Sequence, residues 1–308
     1  MPAGAGAERA SGPRAAPAVS PRLALALAIV ATSTGSLFVR LAEAPPIAKA
    51  FWRCGLCTAV LVLFGWRTLK ADLPRLGKRE LWIALASGLA LALHFATWIT
   101  SLSYTSVASS IVLVDSTPLW VALLTPLVSR DRLEPRVLTA VLFSVVGVVI
   151  VGVADFEFTG TALRGDALAL AGAWMAALYL LAGRSLRPQL SLVSYLVLVY
   201  GTAALILLAL ALVRGDALVG YDGRTWLWLF MLAWVPQLLG HSSYNYALGY
   251  LSAALVAVAS LGEVFGAPLL AWIFLDEAPP PLTVLGGALV LLGVVLAIRQ
   301  PMRDASPS

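Results

Sequence analysis

The feature that most constrains this chain is a succession of apolar runs. Each is close to the roughly 20 residues an α-helix needs to cross about 30 Å of hydrocarbon. Bounded by charges, Pro and Gly, the runs read as ten helices at about 23–39, 47–65, 81–103, 106–128, 136–154, 166–183, 191–213, 226–248, 252–274 and 282–299. Of the 308 residues, 60% are hydrophobic and only 12% are charged, about half the charge of a soluble protein, so a soluble fold is excluded. The expected fold class is an all-α polytopic membrane protein with ten transmembrane helices.

A net charge of +5 would point to a polyanion partner in a soluble protein, but here the cations sit between apolar runs. No basic face interleaved with aromatics is present, so no nucleic-acid partner is expected. The cations set orientation instead, because Lys and Arg are retained on the cytoplasmic side. With the N-terminus inside, fifteen of the 21 fall inside, five outside, and Arg53 within a span. Arg67, Lys70, Arg75, Lys78 and Arg79 share one inside loop, and Arg130, Arg132 and Arg136 another; Asp155, Glu157, Asp276 and Glu277 lie outside. The expected location is the plasma (inner) membrane, multi-pass, with both termini cytoplasmic. Residues 1–21 read as a disordered cytoplasmic tail, rich in Ala, Pro, Gly and Ser, and 300–308 as a cytoplasmic C-terminal tail. The first apolar run begins too late for a cleaved signal peptide. Cys54 and Cys57, one turn apart within an apolar helix, read as packing residues.

Sliding the chain against itself by 146 positions aligns 81–150 with 227–296 without a gap. Trp82 falls on Trp228, Leu102 on Leu248, Tyr104 on Tyr250, Ala108 on Ala254, Pro135 on Pro281 and Gly147 on Gly293. Five spans per copy is an odd number, so the second copy must enter the membrane in the opposite sense. The expected division is a first repeat over 22–154 and an inverted second repeat over 155–299. Paired inverted halves suit alternating access, because exchanging the conformations of the halves exchanges the open side.

Ionisable groups inside a span cost at least about 2.5–3.5 kcal/mol at its centre, so each asks for a reason. Asp115 and Glu263 lie halfway along their helices and can approach each other near the midplane. They are candidates for a proton or ion coupling site, since desolvation favours the protonated form of a carboxyl group, or for a helix–helix hydrogen bond. Arg53 is near enough to a span end to snorkel, which leaves an anchor, an ion pair or a substrate contact. His94, Trp98 and Ser101 fall on one face of their helix, and Gln237, His241 and Tyr244 on one face of another; Ser87 and Trp234 extend those faces. Aromatic walls with a few polar groups make up small-molecule pockets, so these six are candidate substrate-binding residues, although the same spacing also builds core. Trp66, Trp82, Trp226 and Trp228 fit interfacial anchors, and Pro118, Pro236 and Pro268 fall within helices. No metal-ligand spacing, nucleophile elbow or P-loop is present, so no catalytic residue, metal or cofactor is expected.

The chain resembles the EamA-type branch of the drug/metabolite transporter superfamily. The resemblance is carried by Pro45 and Pro46 ahead of Arg53, SLSYTSVASS at 101–110, TPLWVALL at 117–124, DRLEP at 131–135, ALGYLSAAL at 247–255 and GEVFGAPLLAWIFLDE at 262–277. Asp131 stands where that branch usually has Glu, and Val264 where Pro is common. The resemblance implies two five-helix repeats, no enzymatic activity, and a secondary transporter, in the export direction, for small organic metabolites such as amino acids or amphipathic compounds. Its partners would be that substrate, the bilayer and protons, with the chain working as a monomer or homodimer. The rival readings are a flippase for a lipid-linked headgroup and an intramembrane enzyme.

Overall fold

The computed structural model describes residues 17–128, 135–154 and 160–278, with 281, 284–286, 288, 289 and 292. Among these residues there is no strand. The helices are α1 (Pro21–Thr32), α2 (Gly35–Leu41), α3 (Pro46–Asp72), α4 (Lys78–Ser101), α5 (Val107–Val114), α6 (Thr117–Val128), α7 (Pro135–Ala154), α8 (Gly160–Leu186) and α9 (Leu192–Arg214). Then follow α10 (Gly223–Leu232), a π-helical stretch (Ala233–His241), α11 (Ser242–Leu248), α12 (Ala253–Ser260) and α13 (Glu263–Leu275). Among the described residues, seven helical stretches are long and apolar enough to cross a membrane: Pro21–Leu41, Pro46–Arg75, Lys78–Ser101, Val107–Thr125, Thr161–Leu186, Leu192–Arg214 and Ala253–Leu275. Each coincides with an expected span. Of the other three, 136–154 is the helix α7 and 226–248 is helical throughout, while most of 282–299 lies outside the described residues, as do residues 1–16, 129–134, 155–159 and 300–308.

Helix ends follow local chemistry. Pro21 and Pro46 open α1 and α3, where a missing N–H costs nothing. Ser106, Ser191, Asp222 and Ser252 each cap a helix by accepting from the amide three residues on. The lipid-like surface is apolar: Phe64 is 83% and Val213 86% exposed. Between helices, small residues allow close approach. A Cβ on Gly88 of α4 would lie 2.5 Å from Thr202 and 2.9 Å from the Val199 carbonyl of α9, which only glycine permits. Around this contact α4 packs on α8 and α9, and α3 on α9.

Three of the spans are broken, and the breaks position the site. In the first, Thr32, Ser33 and Thr34 turn their hydroxyls back onto the Ala28, Ile29 and Ala31 carbonyls, each at 2.7 Å, which bends a helix between α1 and α2. The other two breaks lie at 115–116 and 261–262, again 146 residues apart, and the flanking segments Val107–Val114 and Ala253–Ser260 keep the same offset and the same Ser cap. Across both breaks the ladder tightens from i−4 to i−3 bonds, as in Ser116 N to Leu113 O and Gly262 N to Ala259 O, both 3.2 Å. The Val107 amide donates to the Glu277 carboxylate at 3.4 Å, so α5 begins beside the end of α13. With α5 packed on α13 and α6 on α12, the two broken helices run antiparallel.

Candidate functional site

The breaks surround a cavity with about 650 Å³ of empty space, part of it continuous with solvent. Arg53, His94, Trp98, Asp115, His241, Tyr244 and Glu263 line it, so seven of the nine residues singled out in the sequence come together there. The other two stand behind the wall. Ser101 donates to the Trp98 carbonyl at 2.7 Å and shares a hydrogen with Ser110 at 2.7 Å, tying α4 to α5. Gln237 is fully buried and reaches the cavity only through Arg53.

Arg53 does not snorkel. It is 1% exposed, its Nε donates to Gln237 Oε1 at 2.6 Å, and its guanidinium lies 4.1 Å from the Phe95 ring centre and 5.5 Å from that of Trp98. The helix end that carries it is enclosed by α10 and the π-helical stretch, which is why the side chain cannot reach an interface. Pro236 sits inside that π-helical stretch, whose wider turn leaves the Ala233 carbonyl to accept from Cys57 Sγ at 2.8 Å. Cys54 and Cys57 are free thiols buried in the core.

On the facing side, His94 Nδ1 lies 3.0 Å from the Gly172 carbonyl. A carbonyl only accepts, so Nδ1 carries the hydrogen and Nε2 is the free nitrogen. The imidazole stacks on Trp98 at 6.1 Å with planes 5° apart, and His241 lies 6.3 Å from it. His241 Nδ1 has no partner. Ser87 and Trp234, which share faces with these residues in sequence, turn elsewhere: Ser87 bonds Tyr195 Oη at 3.2 Å and Trp234 is 49% exposed.

The two acids occupy the paired breaks. Asp115 caps the C-terminus of α5, is 7% exposed, and its Oδ2 has no hydrogen-bond partner. Glu263 opens α13, and its Oε1 accepts from Tyr244 Oη at 3.1 Å, with Thr32 Oγ1 3.4 Å from the same hydroxyl. Thr32, Tyr179 and Ser260 also line the cavity. Tyr179 Oη accepts from Asn245 Nδ2, which places Asn245 directly behind the wall. Among the described residues no three His, Cys, Asp or Glu side chains gather as a metal site.

Beyond the cavity, one end is tied by Arg40, which pairs with Glu277 at 3.4 Å and donates to the Thr105 carbonyl at 3.1 Å. In the other half, Arg187 donates to the Asn245 carbonyl at 2.9 Å and Arg184 to that of Leu248 at 3.2 Å, at the end of α11.

Known proteins resemble this chain over most of its length. An uncharacterized transporter of Archaeoglobus fulgidus is 28% identical over 289 residues, spanning 90% of this chain and 96% of its own. The pseudopaline exporter CntI of Pseudomonas aeruginosa is 27% identical over 279 residues, spanning 89% and 95%. A protein of known crystal structure, 22% identical, covers 90% of this chain and 96% of its own with a TM-score of 0.70, and so has the same fold. The EamA-like transporter family matches twice, at residues 21–153 and 163–299. With nearly the whole length matched, this multi-pass membrane protein belongs to the EamA-like transporter family.

Proposed function

We propose that the protein is a secondary transporter that exports a small organic metabolite, such as an amino acid or an amphipathic compound, across the inner membrane by alternating access. The observation that carries this reading is the pair of antiparallel broken helices that bring Asp115 and Glu263 to one cavity. Broken helices at membrane depth are tolerated where they line such a cavity. Ten spans in two inverted five-helix halves, 22–154 and 155–299, with both termini cytoplasmic, supply the mechanical basis. The repeated offset of 146 between breaks and caps supports that division, as does the double family match.

In this reading His94, Trp98, His241 and Tyr244 contact the substrate directly, with Ser101 and Gln237 holding them and Arg53 in place. Asp115 and Glu263 couple proton movement to transport. That CntI is an exporter supports the export direction. The test is a metabolite comparison of cells and medium with and without expression, followed by flux of the accumulated compound into proteoliposomes. An extracellular compound that also moves in proteoliposomes is expected; unchanged media and no flux would overturn the reading.

A further inference from the structure

The three broken spans share one more feature. Thr32, Asp115 and Glu263 bring their breaks to the cavity, and past the breaks the chain forms the half-helices α2, α5 and α13. Of these, α13 packs on both of the others. A Cβ on Gly266 of α13 would lie 2.7 Å from Ser33 Cβ, so α13 rests directly on the bend between α1 and α2. The cavity stops here. Among its described lining residues α12 supplies Val256 and Ser260, whereas α13 supplies only Glu263, its first residue, and α2 supplies none. The three half-helices therefore close one end of the hollow.

One cluster of polar contacts ties their far ends together. The Glu277 carboxylate, two residues past α13, pairs through Oε1 with Arg40 in the last turn of α2 at 3.4 Å. Through Oε2 it accepts from the Val107 amide, which opens α5, at 3.4 Å. Arg40 Nη2 also donates to the Thr105 carbonyl just ahead of α5 at 3.1 Å. A constrained turn aims the carboxylate. Asp276 is the one non-glycine residue with a left-handed φ, +58°, among the described residues, and the Glu277 amide donates back to the Ala271 carbonyl at 3.3 Å. The neighbouring cation, Lys49, is committed to the Val39 carbonyl at 2.8 Å.

With side chains 31% and 35% exposed, the pair adds little to stability, because water and salt screen it. A weak contact that joins all three half-helices suits a seal that opens and closes. We propose that Arg40 and Glu277 are the outer gate of the cavity. With the pair made, α2, α5 and α13 are drawn together; with it broken, they swing apart about the breaks beside Thr32, Asp115 and Glu263. The proposal rests on the alternating-access reading for its place in a cycle, while the gate itself is defined by access to the cavity.

The test reads access rather than flux. Ser260→Cys supplies a thiol on the cavity wall of the full-length chain, and its rate of labelling by membrane-impermeant maleimide is measured from each face, in right-side-out and inside-out vesicles. Glu277→Gln removes the charge and keeps an acceptor for the Val107 amide. In that background labelling from the outer face is expected to rise by about fivefold or more, with no rise from the inner face. Arg40→Gln should do the same. The exchanged pair, Arg40→Glu with Glu277→Arg, should bring the outer rate back to within about twofold of the Ser260→Cys parent, which an unfolded variant would not do. An outer rate unchanged in both single variants, a rise from both faces, or an exchanged pair that labels as fast as the singles overturns the proposal. Gated labelling without movement of any compound into proteoliposomes would leave the gate standing and remove transport. Flux that persists while labelling ignores both charges would do the reverse.

Discussion

The two broken helices reach the same backbone shape by different means. In the first half, Pro118 has no N–H to give to the Val114 carbonyl, and Thr117 Oγ1 takes that carbonyl at 2.7 Å. The break is therefore written locally. In the second half the residue at the offset of Pro118 is Val264, whose amide is intact and donates to Leu261 O at 3.1 Å. There the break depends on tertiary contact: a Cβ on Gly262 would lie 2.5 Å from Ile29 Cγ2, so α1 presses directly on the chain. The acids differ in the same way. Glu263 is held by Tyr244, whereas Asp115 Oδ2 is unpartnered. The two breaks thus share a backbone shape, but one is fixed by its neighbours while the other leaves an oxygen of its acid without a hydrogen-bond partner.

The sharpest way to break that comparison is to neutralise each acid. Asp115→Asn should reduce pH-gradient-driven flux in proteoliposomes by about a hundredfold or more, and Glu263→Gln, already shared with a hydroxyl, by about tenfold. Equal losses would mean the two acids act as one unit. The next effect is on stability. Gly262→Val forces side chain against α1 and should cost about 2–3 kcal/mol, read as a lower melting temperature in detergent. Ser106→Ala and Ser252→Ala should each cost about 1 kcal/mol, and equally, because the two caps are the same. A cap that matters in one half only would show that the halves are not mechanically alike. Smallest is Tyr244→Phe, which removes one hydrogen bond to Glu263 and should change flux by no more than about fivefold.

Much of the frame is legible in the residues. The apolar runs mark the spans, and Trp, Tyr, Pro and Gly coincide at the same offset of 146 that separates the two breaks and their Ser caps. The breaks themselves were hidden. Spans 106–128 and 252–274 read as uninterrupted because one Asp or one Gly does not end an apolar run of membrane length, and the second break depends on Ile29, more than two hundred residues away. In the site, large or charged residues in apolar helices stand out, which is why Arg53, His94 and Glu263 could be named. Gln237 and Ser101 share their helix faces, and only packing decides that they stand behind the wall. Thr32 and Tyr179 carried weaker signals: a Thr-Ser-Thr triplet at 32–34 inside an apolar run, and a single phenol in another. The depth of Arg53 was misread because its helix end is near the edge of its own span, and the α10 and π-helical cover is invisible from that helix alone.

The claim on which the rest depends is that this cavity opens to each side of the membrane in turn. Ser260 lines it, and the two native cysteines are buried, so wild-type protein serves as the blank for a Ser260→Cys variant. Membrane-impermeant maleimide should label that cysteine both in right-side-out and in inside-out vesicles. Labelling from one face alone, under every substrate and pH condition, would contradict alternating access.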